Sequence, residues 1–347
     1  MNKKEQRMGQ LSFFDISDNY QSLSKCGDPL EKLNKNIKWE IFKGLIEKVF
    51  QKERKSNAGR PPFDYIMMFK VLILQSLYCL SDFQMEFQIR DRFTFRRFLG
   101  LDIGDAIPDE KTIWLFRETL IQKGIIKKLF KRFNRYLDGI GFQAQKGMMV
   151  DARIVEVPKQ RNSRDENQQI KEGKAPEEWE QSPSKKRQKD CDARWFKKHG
   201  KNYYGFKNHI NADVKNMIVR EYEVTPANVH DSQVVEDILD PRNTLQALWG
   251  DGAYHSEEIA DMLKKKKIKN HINKKGCRYK KLSDFQNFLN HKKSSIRVRV
   301  EHVFGFMVNT MKSRLMRCIG LKRSTGNIGI TNLVYNICRL NQLLKRT

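Results

Sequence analysis

Residues Met148 to Glu156 read Met-Met-Val-Asp-Ala-Arg-Ile-Val-Glu and are bracketed by Gly147 and Pro158. Apolar and β-branched residues dominate the stretch, the signature of a strand buried on at least one face. Asp151 sits in its middle. An ionised carboxylate in such a place costs several kcal/mol unless it is paired or bound to a cation. The strand alone leaves three readings open. Asp151 pairs with a nearby arginine such as Arg153, lies at a solvated strand edge, or holds a metal.

The strand also marks a change of period. Before it the chain reads as helical from residue 28 to 138. Asp28-Pro29 supplies a side-chain cap and a proline at the first helical position. Ile37, Ile41, Phe42, Leu45, Val49 and Phe50 recur at helical spacing over about 37–53. A second helix is expected at 63–79, apolar but short for a membrane span. Ser81 and Gln84 form a capping-box pair that opens a third at 82–91. Pro108-Asp109-Glu110 opens a fourth, and Gly124 separates it from a fifth that ends before Gly139. Arg90, Arg92, Arg96, Arg97 and Arg117 lie among these short helices, an arrangement able to place a helix in a DNA groove. A plain helical bundle has the same pattern.

After the strand comes a polar stretch, 159–192, expected as a long loop or partly disordered insert. Strands at 203–213 and 218–225 flank a turn at Asn216 and are expected to form an antiparallel hairpin. A short helix at 231–239 leads to an apolar strand, Leu245 to Trp249, running straight into Gly250-Asp251-Gly252. A helix at 256–265, a strand at 268–272 and long helices at 294–315 and 327–345 complete an α/β order with a mixed sheet.

Lys plus Arg number 67 against 41 Asp plus Glu, a formal charge of +26. That excess suits a polyanionic partner, nucleic acid above all; a generally basic, lysine-rich proteome is the lesser alternative. The six cysteines are scattered without a Cys-x-x-Cys pair, which favours reduced intracellular thiols over zinc or disulfides. No apolar signal segment follows the N-terminus, and no membrane partner is expected.

Two further acids stand out. Asp251 ends an apolar strand in a glycine-flanked turn, where α/β sheets gather ligands. An ordinary turn aspartate looks the same. Glu301 lies on a helix four residues after Arg297, which an exposed salt bridge also explains. Two aspartates on strands and a glutamate on a following helix are what two-metal phosphoryl transfer needs: hard oxygen ligands around ions about 3.5–4 Å apart.

Several segments together give the chain a resemblance. They are Gly59-Arg60-Pro61-Pro62-Phe63, Met68-Phe69-Lys70, Leu80-Ser81-Asp82, Ile107 to Thr112, Asp192 to Trp195 with Lys197-Lys198, Tyr204 to His209, Thr225 to Asp231, and Asp251-Gly252-Ala253-Tyr254. In this order they resemble the DDE transposases of bacterial insertion sequences, specifically the IS-five group. The resemblance implies a ribonuclease H-like fold on which Asp151, Asp251 and Glu301 are catalytic and hold two Mg2+ (or Mn2+) ions. It also implies an enzyme that binds the terminal inverted repeats of its element as double-stranded DNA. It would hydrolyse a phosphodiester to expose a 3′-hydroxyl and transfer that end to target DNA. A homodimer or larger assembly in the bacterial cytoplasm, at the nucleoid, goes with this reading.

Within the family's last motif Arg297 matches. The expected tyrosine is Ser294, and the expected lysine is Val308. Lys312, one turn further along the same helix face, is the candidate replacement. Arg297, Lys312, Lys197, Lys198 and Arg60 are the expected DNA contacts. His209, His230, Asp231 and Tyr254 are expected around the acids, whereas His302 points about 100° away from Glu301 and is not assigned. The organisation expected is a flexible segment 1–27, a helical DNA-binding domain 28–139, and a ribonuclease H-like catalytic domain 140–347. Two rivals share this pattern: a nuclease that cuts without joining, and a DNA-binding protein whose inherited site is inactive.

Overall fold

The computed structural model describes residues 13–51, 61–198, 200–243, 245–276, 279 and 281–345. Arg60, an expected DNA contact, lies outside them, as do residues 1–12. The helical region comprises α1 (Phe13–Lys25), α2 (Pro29–Asn36), α3 (Glu40–Phe50), α4 (Tyr65–Tyr78), α5 (Asp82–Asp91), α6 (Phe93–Leu99), α7 (Glu110–Gln122) and α8 (Ile125–Gly139). Its starts are set by local chemistry. Asp28 accepts the Leu30 amide at 2.9 Å, Asp64 that of Met67 at 2.7 Å and Asp109 that of Thr112 at 2.6 Å. Ser81 and Gln84 cap α5 reciprocally. α4 is apolar around most of its circumference and is buried accordingly, from Ile66 to Gln75 apart from Lys70. Among the described residues no single helix is long and apolar enough to cross a membrane.

α1 forms where a flexible segment was expected. Its Tyr20 ring meets Phe93 edge-on at 6.2 Å, and Arg97 donates to the Tyr20 carbonyl at 3.0 Å. The tether is therefore tertiary and invisible to a local reading. α6 falls inside the region read as helical but has no bounds of its own in that reading, because its core contacts, Phe95 and Phe98, lie within a basic stretch.

The sheet contains β1 (Met148–Glu156), β2 (Arg194–Lys198), β3 (Lys201–Asp213), β4 (Val219–Pro226), β5 (Ala247–Trp249) and β6 (Lys269–Asn270). Its order is β2-β3-β1-β5-β6, with β4 also on β3. β3 runs antiparallel to β1, β2 and β4, whereas β5 and β6 run parallel to β1. This is the mixed sheet expected of a ribonuclease H-like fold. The β3–β4 hairpin turns where expected, with Asp213 accepting the amides of Asn216 and Ile218 at 2.7 and 3.1 Å.

The polar stretch after β1 is not a loop. It folds into α9 (Arg164–Lys171), α10 (Glu177–Glu180) and α11 (Pro183–Gln188). Trp179 is buried there, its indole donating to Glu166 at 2.6 Å while Lys185 pairs with the same carboxylate at 2.8 Å. Trp179, together with the buried Ile170, gives this polar segment a core of its own. The helix expected at 231–239 is instead two short 3-10 turns, Asp231–Val234 and Glu236–Ile238. Beyond β5 follow α12 (Glu257–Lys265), α13 (Asp284–Arg297), α14 (Arg299–Asn309) and α15 (Leu321–Leu343). The single helix expected at 294–315 is thus interrupted at Val298 and ends at Asn309.

One continuous core joins Phe42, Phe69 and Phe133 of the helices to Phe206 and Ile210 of the sheet, and α15 runs through it. α15 touches α2, α4, α7, α8 and β4. Buried amides lock this seam. Asn336 donates to Asn134 at 3.1 Å and accepts from the Val219 amide at 2.9 Å, while Asn208 and Asn332 exchange hydrogen bonds at 2.9 and 3.1 Å. On the opposite sheet face Met148, Val150 and Leu248 pack with Tyr254, Ile259 and Leu263.

Gly329 lets α15 approach this closely: a Cβ there would overlap the Tyr222 hydroxyl and lie 2.8 Å from Ile126. Gly329→Ala should therefore cost about 1–3 kcal/mol, reversing the roughly 1 kcal/mol that alanine gains in an open helix. Urea unfolding of the two proteins measures the difference.

Candidate active site

β1 and β5 pair only at Met148 with Leu248 and Met149 with Trp249. Asp151 and Asp251 each come two residues later. Both acids therefore stand at the carboxyl end of a parallel strand pair, where α/β sheets gather ligands. Gly147 holds the register. It has φ +94°, its amide donates to Asn243 Oδ1 at 2.9 Å, and its carbonyl accepts from Asn243 Nδ2 at 2.7 Å. A Cβ at this position would strike the Trp249 ring and come within 2.9 Å of the Ala247 carbonyl. After β5, Asp251 accepts the Ala253 amide at 2.9 Å and starts the 3-10 turn Gly252–Tyr254.

The third acid arrives from helices packed on β1. Despite the break at Val298, Arg297 and Glu301 keep their four-residue spacing, with Nη2 to Oε1 at 3.0 Å. The other guanidinium nitrogen reaches Asp151 Oδ2 at 3.6 Å. Asp151 thus has an arginine partner, but it is Arg297 from another element rather than its strand neighbour Arg153. Burial raises the Asp151 pKa from 3.8 to about 6; the Ala152 amide and Arg297 pull it down, while Asp251 pushes it further up.

The donor set consists of hard carboxylate oxygens, the chemistry that Mg2+ and Mn2+ prefer, and the burial of Asp151 beside Asp251 leaves negative charge that a cation would offset. Among the described residues, however, no three His, Cys, Asp or Glu side chains converge closely enough to hold an ion as they stand. Arg297 bridges Asp151 and Glu301, and Glu301 keeps 53 % of its side chain exposed. To hold a divalent cation together, the three acids would need Glu301 to leave Arg297 and turn towards the aspartates.

The other expected residues divide. Lys197 and Lys198 are exposed on β2, and the Lys198 charge acts on Asp151. Tyr254 is buried, and its hydroxyl has no hydrogen-bond partner among the described residues; burial raises its pKa well above the usual value, and Asp151, Asp231 and Asp251 add to the rise. His209 pairs in register with Ala152, whereas Asp151 pairs with Ile210. Alternation along the strand therefore sends His209 and Asp151 to opposite faces. His209 bonds Thr225 Oγ1 at 2.8 Å, and burial lowers its pKa to about 4. Asp231 lies 4.0 Å from His209 but binds Lys207 more closely, at 2.8 Å. Lys207 was not singled out in the sequence. A lysine at a buried strand position was its only signal. His230 caps the turn at Ser232.

Lys312 is not on the helix face where it was expected. α14 has already ended, and Lys312 has left-handed backbone with φ +51°. At the family's tyrosine position, Ser294 accepts from Asn273 Nδ2 at 2.8 Å, tying α13 to the segment after β6. Val308, at the lysine position, is half-buried on α14.

Ionised Asp151 opposes folding above its raised pKa. Below 3.8 the group is neutral whether folded or unfolded, and the penalty vanishes. In metal-free protein Asp151→Asn should raise stability at about pH 8 by up to about 3 kcal/mol, and leave it nearly unchanged below about pH 4. Urea midpoints at the two pH values test this; equal midpoints at the higher pH would mean that Arg297 fully offsets the burial.

Two family models match the chain: Transposase DDE domain over residues 143–337 and Transposase domain (DUF772) over residues 18–119. No solved structure matches it. The first match spans more than half of the chain and contains Asp151, Asp251, Arg297 and Glu301. The chain belongs to the DDE transposases, enzymes of DNA transposition and recombination that act on DNA with the help of divalent metal ions.

Proposed function

We propose that the chain is the transposase of an IS-five-group insertion sequence. It binds the terminal inverted repeats, hydrolyses a phosphodiester to expose a 3′-hydroxyl, and transfers that end to target DNA. The observation that carries this reading is the placement of Asp151 and Asp251 two residues past the short parallel pairing of β1 with β5, with Arg297 linking Asp151 to Glu301. Asp151, Asp251 and Glu301 would hold two Mg2+ (or Mn2+) ions. When bound, such ions activate the attacking oxygen and stabilise the leaving one.

The chain's own groups do the rest. Arg297, released when Glu301 turns to the aspartates, offers a planar fork that suits a phosphate. Lys197 and Lys198 present charge at the same end of the sheet. The net charge of +26 draws in the DNA backbone. Residues 28–139 act as the DNA-recognition domain and 140–347 as the catalytic domain. Holding two ends of an element together calls for at least a homodimer, working at the nucleoid.

Asp151→Asn should reduce Mg2+-dependent cleavage of the native element ends on the order of 10³-fold or more, with DNA binding retained in a gel-shift assay. Cleavage at the parental rate would remove Asp151 from the reaction. Pre-cut 3′-hydroxyl ends incubated with a supercoiled target distinguish the enzyme classes, because a nuclease on the same fold yields no joined product. Ser294 and Val308 favour one other reading, a DNA-binding protein with an impaired site. Binding by the parent protein without any metal-dependent cleavage would select it.

A further inference from the structure

A cleft of about 610 Å³ opens along the seam between the helical region and the sheet. The α4–α5 turn and α7 form one wall. The far end of β1, the end of α14 and residues 311–318 form the other, with α15 behind. Val155, Met307, Met311 and Leu315 give it an apolar floor.

Four cations line it, and their partners differ. Arg117 is satisfied by both oxygens of Asp82, at 2.6 and 2.7 Å, and by Gln75 at 2.9 Å. Arg153, Lys312 and Arg317 make no ion pair with any carboxylate among the described residues. Burial and the neighbouring Arg314 charge both weigh against the Arg153 guanidinium, and an anion seated in the cleft would offset that cost. The cleft also adjoins the acids. Arg153 follows Asp151 by two positions on the same face of β1, about 6.6 Å along the strand.

The backbone at the mouth points the same way. Cys79 and Lys312 both have left-handed backbone, with φ +54° and +51°, a conformation uncommon for residues other than glycine. Cys79 Sγ lies 3.8 Å from the Lys312 carbonyl. The αL turn that ends α4 thus meets the αL turn that follows α14, and it is the second that carries Lys312. The contact holds the Lys312 backbone against the end of α4.

We propose that this cleft seats the phosphodiester backbone of the DNA strand flanking the bond positioned at Asp151, with Arg153, Lys312 and Arg317 as phosphate contacts. The inference rests on the reading that DNA is the substrate. It adds a path for the strand, away from the acids along β1 and under the α4–α5 turn. The helical region then grips DNA beside the chemistry as well as at the terminal repeat.

The test is a salt titration of the full chain binding a fluorescently labelled duplex in the presence of a chelator, between about 50 and 200 mM salt. The parent should show a steep fall of log affinity with log salt. Arg153→Gln and Arg317→Gln should each flatten the slope by about 0.9, and together by about twice that. The charge-preserving Arg153→Lys and Arg317→Lys should restore it. Arg317 is exposed, so its glutamine variant tests the cleft even if Arg153→Gln fails to fold. A steep parental slope left unchanged by Arg317→Gln and by a folded Arg153→Gln overturns the cleft and leaves DNA as the substrate. A flat parental slope overturns that reading as well.

Discussion

The site depends on a strand pairing only two residues long. β1 and β5 touch at Met148–Leu248 and Met149–Trp249 and then part, and the carboxylates occupy the opening this leaves. So short a ladder contributes few hydrogen bonds, and its register has to be enforced from outside. Asn243 does this by clasping both backbone groups of Gly147, and Trp249 does it by filling the space in which any side chain at Gly147 would lie. β1 itself is held by nine pairs with β3, so a slip of one residue in this ladder would turn the side chains of β5 to the other face and shift Asp251 relative to Asp151. The position of one acid relative to the other is thus fixed by a glycine, an asparagine and a tryptophan that carry no chemistry of their own.

Around that opening the charges are unbalanced. Burial and Asp251 both work against ionised Asp151, and Arg297 offsets them only in part while also serving Glu301. Among the described residues its Nε is buried without a partner, as are Arg96 Nε, Arg97 Nε and Asp240 Oδ2. Arg220, by contrast, is closed into a network with Asp213, Asp138 and the Phe142 carbonyl. Unsatisfied buried charge is costly, and what sets this site apart is that it stands beside three acids, two of them paired with Arg297.

Much of this was legible in the chain, for local reasons. Caps act over three residues, so Asp28, Ser81 with Gln84, and Asp109 announced their helices. Strand alternation and a turn at Asn216 announced the β3–β4 hairpin. The acids were legible as residue types in a plausible order, but their grouping came from resemblance rather than from spacing. What escaped depends on distant partners. β2 needs β3 beside it, α1 needs Phe93 and Arg97, and the helices after β1 need Trp179. The ends of α13 and α14 were misread because Val298 and Asn309 carry no breaker signal. Lys312 was placed on a helix that had already ended. His209 looked close to Asp151 because strand ends were compared without the register that sends them to opposite faces.

The course of α15 has a further bearing on the life of the molecule. Its residues are the last described helix of the chain, yet they lie inside a core shared with α2, α4, α7 and α8, and Asn341 is bonded to Asn36 at 2.7 Å. During synthesis the early helices emerge with an apolar groove that nothing yet occupies, and they wait for some two hundred residues before it is filled. Contacts so distant in sequence slow folding and prolong the exposure of sticky surface. A chain that stops before α15 can complete the core on the other face of the sheet, which contains no α15 residue, but not the one that joins the helical region to the sheet.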